Sequence, residues 1–368
     1  MLKFDTTGKS PDIILLIVTL ILVTVGTVMI YSSSSIIAAE RFQDGQFFLK
    51  KQLLFVFFGL GAMILMTRIP YEELKKFAYP GVIISLILLT LVLIPKIGVR
   101  VGGASRWLKV GFFAFQVTEL VKIFVVLFLA HFLTRKAMYT KELLRGVIIP
   151  LGVTMLLVGL IVIEPDFGTA VIITMILMLM LYLAGSRIRY LAGLMAMLIP
   201  VGVGLLFFKS YRVERLMTFL DPWRDPQNSG FQIIQSLISF GSGGAFGVGV
   251  GDGRQKLFYL PEPHTDFILS IIAEESGFIG VAIIICLFAV FVIRGFFISF
   301  KAPDKFSTLL AAGLTMIIAL EAFINIAGVM GLIPLKGLAL PFLSYGGTSL
   351  IMSLTIVGIL LNISAHEK

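Results

Sequence analysis

The chain has 368 residues, of which 58% are hydrophobic and only 14% charged, and its mean hydropathy is +1.02. Soluble domains carry roughly 25% charged residues, so this composition excludes an ordinary soluble protein and indicates an integral membrane protein. The net charge of +9 is spread over the connecting segments. There it fits contact with anionic lipid, and we expect no nucleic-acid partner.

Long uncharged runs predict about ten transmembrane helices, because a backbone in lipid must satisfy its own hydrogen bonds. In chain order, the predicted spans cover residues 13–31, 53–67, 79–94, 115–133, 146–163, 168–184, 190–208, 267–293, 306–330 and 343–363. The predicted fold class is therefore an all-α integral membrane protein. We interpret residues 1–368 as a single polytopic domain.

An even number of spans places both termini on one side of the membrane. Lys and Arg are divided almost equally between the two sides, but those on the terminal side lie in shorter loops, which dominate the positive-inside rule. We therefore predict cytoplasmic termini. The outer side then carries a long loop, residues 209–265, between spans seven and eight.

The long loop contains a predicted short helix and a glycine-rich stretch. Gln232, Gln235, Ser236 and Ser239 follow helical spacing, which gives one polar stripe on an apolar helix that lies in the interface or dips into the membrane. Residues 241–253 are rich in glycine but do not match G-x-G-x-x-G, and no G-K-[ST] follows. We reject a nucleotide site there and expect a closely packed turn.

Ionisable residues in or beside spans are costly and therefore invite functional hypotheses. Glu119 and Lys122 lie on one helix face, either as a structural pair or as part of a site. Asp166, between spans five and six, is more readily interpreted as a helix cap than as a catalytic group. Asp266 follows His264 where the long loop enters span eight, and helix capping is again the alternative.

The candidate residues share one side of the predicted topology. Arg106, Trp107, Glu119, Lys122, Asp166, Asp266 and Lys336 all lie in odd-numbered loops or beside them. Cations beside carboxylates and apolar walls suit a lipid-linked anion, such as a diphosphate on a long isoprenoid. The chain has no paired Cys/His metal set and no G-x-S-x-G motif that would favour another chemistry.

The same residues belong to motifs that run through nearly the whole chain. They include VMIYSS (28–33), GASRWL (103–108), FQVTELVK (115–122), EPDFGTA (164–170), DPW (221–223), RQKLFYLPEPHTDF (254–267), GLIPLKG (331–337) and PFLSYGGTS (341–349). In these motifs the chain resembles the SEDS family of bacterial cell-wall polymerases, which includes FtsW, RodA and SpoVE. RQK, Pro263 and Lys336-Gly337 resemble the division and sporulation branch more than the elongation branch.

The resemblance implies a peptidoglycan glycosyltransferase that polymerises lipid II at the outer face of the bacterial cytoplasmic membrane. Asp266 would be the general base, while Arg106, Lys122 and either Arg212 or Lys256 would bind diphosphate. Glu119 and Asp166 would orient those cations. The further predicted substrate-binding residues are Trp107, Gln235, Ser236, His264, Lys336 and Ser344.

The resemblance also implies partners, namely a class B penicillin-binding protein with transpeptidase activity and other divisome membrane proteins. We expect no firm cofactor, although a magnesium or manganese ion could assist the diphosphate. Two other functions stay open at this point. The protein could flip lipid II across the membrane, or it could serve mainly as a scaffold for the transpeptidase.

Overall fold

The computed structural model describes residues 10–95, 97–101, 104–110, 113–207, 210–255 and 263–367. Its helices are α1 Ile13–Phe42, α2 Phe47–Arg68, α3 Ala78–Leu93, α4 Val117–Arg135, α5 Ile149–Ile163, α6 Phe167–Leu183, α7 Ile188–Phe207, α8 Ser210–Leu220, α9 Phe231–Gly243, α10 Ile268–Lys301, α11 Lys305–Val329 and α12 Gly347–Ala365. Its strands are β1 Gly98–Val101, β2 Ala104–Val110 and β3 Phe113–Gln116.

The predicted all-α membrane fold is confirmed. Nine helical segments in the described residues are long and apolar enough to cross a membrane. The shorter apolar helix α6 has 17 residues, which is about 26 Å at 1.5 Å per residue and close to the hydrocarbon thickness. The ten predicted spans therefore correspond one to one to α1–α7 and α10–α12.

Both ends of the described chain lie on one face of the bundle. The backbone N–H of Asp12 donates to Ser364 Oγ over 3.0 Å, and that of Tyr71 donates to Asn362 Oδ1 over 3.1 Å. The Tyr71 hydroxyl also donates to Asp304, in the turn between α10 and α11, over 3.0 Å. The even-numbered loops and the two ends thus share a face, as an even number of spans requires.

Helix α1 is longer than a bilayer core. Its 30 residues span about 45 Å, against roughly 30 Å of hydrocarbon. Ser32, about 30 Å along the helix from Asp12, donates a hydrogen bond to the carboxylate of Glu275 on α10, at 2.7 Å from Oε1. Helix α1 therefore runs from the face that holds the termini to the N-terminal part of α10 and continues beyond this contact.

A small sheet on the opposite face was not predicted from the sequence. We call this face the outer face, because the predicted topology places it outside. Strands β1, β2 and β3 pair in that order as an antiparallel sheet, with Trp107 on β2 opposite Val99 and Gln116. Gln116 is also the N-cap residue of α4, and its backbone N–H donates to Thr348 Oγ1 over 3.2 Å. The sheet is thereby fixed to the outer ends of α4 and α12.

Helix α9 dips beside the outer part of α10, as predicted for the amphipathic segment. Ser236 Oγ lies 2.7 Å from Ser270 Oγ and donates to the carbonyl of Val329 over 2.6 Å. Ser236 and Ser239 of the predicted polar stripe are therefore buried against the bundle, whereas Gln232, Leu237 and Ile238 are exposed. An apolar outer surface with a hydrogen-bonded inner one suits a helix at the edge of the lipid.

Helix α10 is interrupted at Gly277, which has φ +65° and ψ −166°. In an unbroken helix the N–H groups of Phe278 and Ile279 would donate to the carbonyls of residues 274 and 275. Here they donate to the carbonyls of Gly244 and Ala245, at 2.9 and 3.2 Å. The freed carbonyls of residues 274 and 275 accept from the N–H groups of residues 248 and 249, at 3.0 and 3.1 Å.

Close approach explains why this loop is rich in glycine. A Cβ on Gly243 would lie 1.9 Å from the carbonyl oxygen of Ala273, and one on Gly247 would lie 2.2 Å from that of Glu275. The predicted closely packed turn is therefore what the structure contains. Its role is to replace the broken helical hydrogen bonds of α10.

Candidate active site at the outer face

Asp266 lies in the turn that leads into α10, on the outer face. The N-cap residue of α10 is Phe267, one position later, so Asp266 does not occupy the capping position that the alternative interpretation required. The backbone carbonyl of Asp266 accepts a hydrogen bond of 2.9 Å from the side chain of Asn325 on α11. Asp266 is only partly buried.

Loop nine, the segment between α11 and α12, passes directly beside the Asp266 carboxylate. A Cβ on Gly337 would lie 3.0 Å from Asp266 Oδ2, and Gly337 has φ +61°, a conformation that favours glycine. The preceding residue, Lys336, extends towards the start of α6, where its Nζ lies 5.2 Å from the centroid of the Phe167 ring. One dipeptide therefore connects Asp266 with α6.

Three cations gather around residues 165–167, and we call Arg106, Arg212 and Lys336 the cation cluster. The guanidinium of Arg212 also lies 5.2 Å from the Phe167 ring centroid, and Arg106 Nη2 donates to the carbonyl of Pro165 over 2.6 Å. Burial lowers the pKa of Lys336, while the nearby Asp166 carboxylate opposes that shift. Three cations at a helix N-terminus form an environment that favours an anion.

Asp166 both caps α6 and faces the cation cluster. It is the N-cap residue of α6, and it accepts hydrogen bonds from the backbone N–H of Thr169 at 3.2 Å and from its hydroxyl at 2.9 Å. Its Oδ2 lies 3.7 Å from Nε of Arg106. The Asp166 side chain can therefore cap α6 and orient Arg106 at the same time, as both predictions require.

Glu164, two residues earlier, is a buried carboxyl group beside this pair. Its side chain is 1% exposed, and neither carboxyl oxygen has a hydrogen-bond partner among the described residues. Burial, with a smaller contribution from Asp166, raises the pKa of Glu164 to about 8, although Arg106 opposes the shift. Glu164 is therefore mostly uncharged at neutral pH.

The raised pKa of Glu164 predicts a pH-dependent effect of Glu164→Gln. Between about pH 4.5 and pH 8 the unfolded chain ionises Glu164 while the folded protein keeps the proton, so the wild type loses stability as the pH rises. The variant should be the more stable protein at pH 8, and the difference should become small at pH 5. At most it changes by about 1.4 kcal/mol per pH unit.

Thermal unfolding in detergent at several pH values measures this difference. Glu142→Gln, at an exposed glutamate in the loop after α4, is the matched control and should show no such trend. A difference that is constant from pH 5 to pH 8 would contradict the raised pKa.

Lys122 lies in a buried ion triad rather than in the cation cluster. Its side chain is 2% exposed, and Nζ donates to Glu119 Oε1 over 2.9 Å and to the carboxylate of Glu321 on α11. This geometry does not match the predicted contact of Lys122 with diphosphate, because both carboxylates would have to release it first. Glu119 likewise holds Lys122 within the bundle and does not orient a cation of the cluster.

The triad predicts a large loss of stability for Lys122→Met, because two carboxylates would remain without their shared cation. Breaking a buried ion pair typically costs about 3–5 kcal/mol. Additional neutralisation by Glu119→Gln and Glu321→Gln should restore most of the folded yield. Size-exclusion profiles and thermal unfolding of the single and triple variants measure this, and an unchanged Lys122→Met protein would exclude the triad.

The other predicted site residues divide into packed and partly exposed ones. Ser236 on α9 is fully buried, and Ser344 is buried in loop nine, where its Oγ accepts from the N–H of Leu340 over 2.8 Å. Neither position matches the predicted contact with substrate, because the Ser236 hydroxyl joins α9 to α10 and α11 and the Ser344 hydroxyl holds loop nine together. Gln235 and Trp107 are half-buried on the outer face, and Lys256 lies outside the described residues.

His264 is buried beside Asp266 and is in contact with two aromatic rings. Its ring centroid lies 4.4 Å from that of Phe48 and 5.6 Å from that of Tyr345. Burial, aided by the charge of Arg41, lowers the pKa of His264 to about 4. The imidazole is therefore neutral near pH 7 and cannot add to the positive charge of the site.

Several residues at the site were not assigned to it from the sequence. Phe167 is the ring between two cations, Glu321 completes the triad, and Gly337 provides the space beside Asp266. Glu321 carried a usable signal as an ionisable residue within a predicted span, and Gly337 carried one as a glycine next to a loop lysine. In the described part of the chain, no group of three or more His, Cys, Asp or Glu residues is arranged to hold a metal ion.

The whole chain is similar to proteins of one family. The profile of the FtsW/RodA/SpoVE cell cycle proteins matches residues 12–368. The chain is 47% identical to a probable peptidoglycan glycosyltransferase FtsW of Trichlorobacter lovleyi over 97% of this chain and 94% of that protein. It is 43% identical to the stage V sporulation protein E of Bacillus subtilis over 99% of this chain and 100% of that protein.

Two solved structures share the fold. One is a chain from a study of how a peptidoglycan synthase complex coordinates polymerization and crosslinking, with a TM-score of 0.80, 30% identity, and coverage of 96% of this chain and 97% of that one. The other is the rod shape determining protein RodA of Thermus thermophilus, with a TM-score of 0.71, 25% identity and 97% coverage of both chains.

Proposed function

The chain belongs to the FtsW/RodA/SpoVE family of cell cycle proteins, and we propose that it is a peptidoglycan glycosyltransferase that polymerises lipid II. Its relatives at 47% and 44% identity are named as probable enzymes of this activity. The site supports the same chemistry. A carboxylate that can take a proton lies beside cations that can hold a diphosphate.

The main support for the proposal is the path of loop nine, which passes Asp266 and reaches the cation cluster. Gly337 contacts the Asp266 carboxylate, and Lys336, its neighbour, stands with Arg212 over the Phe167 ring. The base and the cation cluster are therefore joined by two consecutive residues. A glycosyl transfer needs this combination, because a proton must leave the acceptor while negative charge develops on the leaving diphosphate.

In the proposed reaction, the 4-hydroxyl of the acceptor sugar attacks the anomeric carbon of the donor. Asp266 takes the hydroxyl proton as the new C–O bond forms. The bond between the anomeric carbon and the diphosphate oxygen breaks, and the isoprenoid diphosphate leaves with the electron pair. Arg106, Arg212 and Lys336 stabilise the charge on this leaving group. A magnesium or manganese ion that accompanies the diphosphate would add to this stabilisation.

We place the site on the outer side of the bacterial cytoplasmic membrane, with both termini in the cytoplasm. This orientation follows from the short, lysine- and arginine-rich loops on the terminal face. It predicts that Asn228, in the exposed loop between α8 and α9, lies outside. A cysteine introduced by Asn228→Cys should react with a membrane-impermeant maleimide in intact cells, and reaction only after lysis would reverse the topology.

We further propose a class B penicillin-binding protein as the partner, alongside other divisome membrane proteins. The relative from the synthase complex supports a partner that crosslinks the product. Helices α10 and α11 offer exposed aromatic rings at Phe278, Phe300 and Phe323, which suit contact with a transmembrane helix as well as with lipid.

The direct test is incubation of the purified protein with labelled lipid II, with and without the partner, followed by sizing of the glycan products. Long glycan strands from the wild type support the proposal. A scrambling assay in vesicles, run beside it, tests the transport alternative. Translocation without polymerisation would favour a flippase, and partner binding with neither activity would favour a scaffold.

A further inference from the structure

Asn325 joins two segments of the proposed site through one side chain. It lies on α11 and is 5% exposed. Its Nδ2 donates to the carbonyl of Asp266 over 2.9 Å and to the carbonyl of Leu338 over 2.6 Å. The first carbonyl belongs to the turn that carries the base, and the second follows Gly337 in loop nine.

The chemistry of this link is specific to a primary amide. A side-chain amide offers two N–H donors on one nitrogen, whereas Asp has none when ionised and Ser has one. Two carbonyl oxygens at these distances also fix the amide orientation, because the amide oxygen would be repelled by both. A second link, from the N–H of Tyr345 to the carbonyl of His264 over 2.8 Å, joins the same two segments one turn away.

We propose that Asn325 is a positioning residue for glycosyl transfer, which sets the separation between the Asp266 carboxylate and the Lys336 cation. This inference rests on the proposed function. Asn325 touches the backbone of Asp266 and of Leu338, and it acts through Asp266 and Lys336. Displacing a reacting group by about 1 Å can cost on the order of 10²-fold in rate.

The chain contains a matched control for a buried asparagine that only links backbone segments. Asn362 on α12 is 4% exposed, donates from Nδ2 to the carbonyl of Thr67 over 2.9 Å, and accepts at Oδ1 from the N–H of Tyr71 over 3.1 Å. It lies on the terminal face, away from the proposed site. Replacing either asparagine by Ala removes two buried hydrogen bonds.

The experiment compares Asn325→Ala and Asn362→Ala in steady-state lipid II polymerisation, normalised to folded, monodisperse protein. Both variants should lose similar thermal stability. Asn325→Ala should lower kcat by about 10- to 100-fold with little change in KM, while Asn362→Ala should keep the wild-type kcat. Asn325→Ser, which retains one donor, should give an intermediate kcat. If the alanine variant does not fold, the kcat of Asn325→Ser, compared with that of the wild type, provides the test.

A double-variant cycle separates positioning from general damage. If Asn325 acts through Asp266, then Asn325→Ala should have almost no further effect on the residual rate of Asp266→Asn. Equal kcat values for the two alanine variants, or fully additive losses in the double variant, would overturn the proposal. A wild-type protein that makes no glycan would instead overturn the proposed function itself.

Discussion

Asp266→Asn should reduce lipid II polymerisation by roughly 10²-fold or more, because it removes the proton acceptor of the proposed reaction. The change keeps the size of the side chain. The backbone link between the Asp266 carbonyl and Asn325 does not depend on the carboxylate, so the turn should keep its place. The variant should therefore insert in the membrane, bind its partner and bind lipid II.

The measurement is the initial rate of glycan formation at saturating lipid II, together with a lipid II binding assay. Asp252→Asn is the matched control, because it makes the same chemical change at an exposed aspartate of the same long loop. It should keep a nearly wild-type rate. If Asp266→Asn polymerises at a near normal rate, the general-base assignment is wrong. If it loses lipid II binding, Asp266→Glu becomes the decisive variant.

Gly247→Ala should prevent stable folding of the outer half of α10. The new Cβ would lie 2.2 Å from the carbonyl oxygen of Glu275, so the glycine-rich loop would have to move away from the helix. Such a movement stretches four backbone hydrogen bonds around Gly277. At about 1 kcal/mol for each bond, the expected loss is on the order of 4 kcal/mol.

Gly251→Ala separates this clash from simple backbone strain. Gly251 has φ +97° and Gly247 has φ +80°, so an alanine is strained at both positions. No described atom lies within 4 Å of a Cβ on Gly251. The Gly251 variant should therefore retain most of the folded yield, measured as monodisperse protein after detergent extraction. Equal yields for the two variants would contradict the proposed role of close packing.

The helices could be predicted because their signal is local. An uncharged run of about 20 residues has one stable arrangement in lipid, and all ten spans appeared near their predicted positions. The sheet between α3 and α4 could not be predicted in the same way. Its strands are short, β1 and β3 having four residues each, and their pairing is not a local signal.

The candidate site was predictable as a set of residues but not as a set of contacts. Because Arg106, Asp166 and Lys336 all belong to odd-numbered loops, the predicted topology correctly placed them on one face. It could not distinguish them from Lys122, because the partner that holds Lys122 inside the bundle is Glu321, 199 residues away in the chain. The long-range pairing that holds Lys122 inside the bundle is not visible in local sequence.

The exchange of hydrogen bonds at Gly277 also restricts how this protein can vary in length. Four backbone groups of the loop must bond to α10 at the same time. They are the carbonyls of residues 244 and 245 and the N–H groups of residues 248 and 249. Inserting or deleting a single residue between them would leave some of these backbone groups unpaired. Relatives should therefore keep a constant number of residues from 243 to 249.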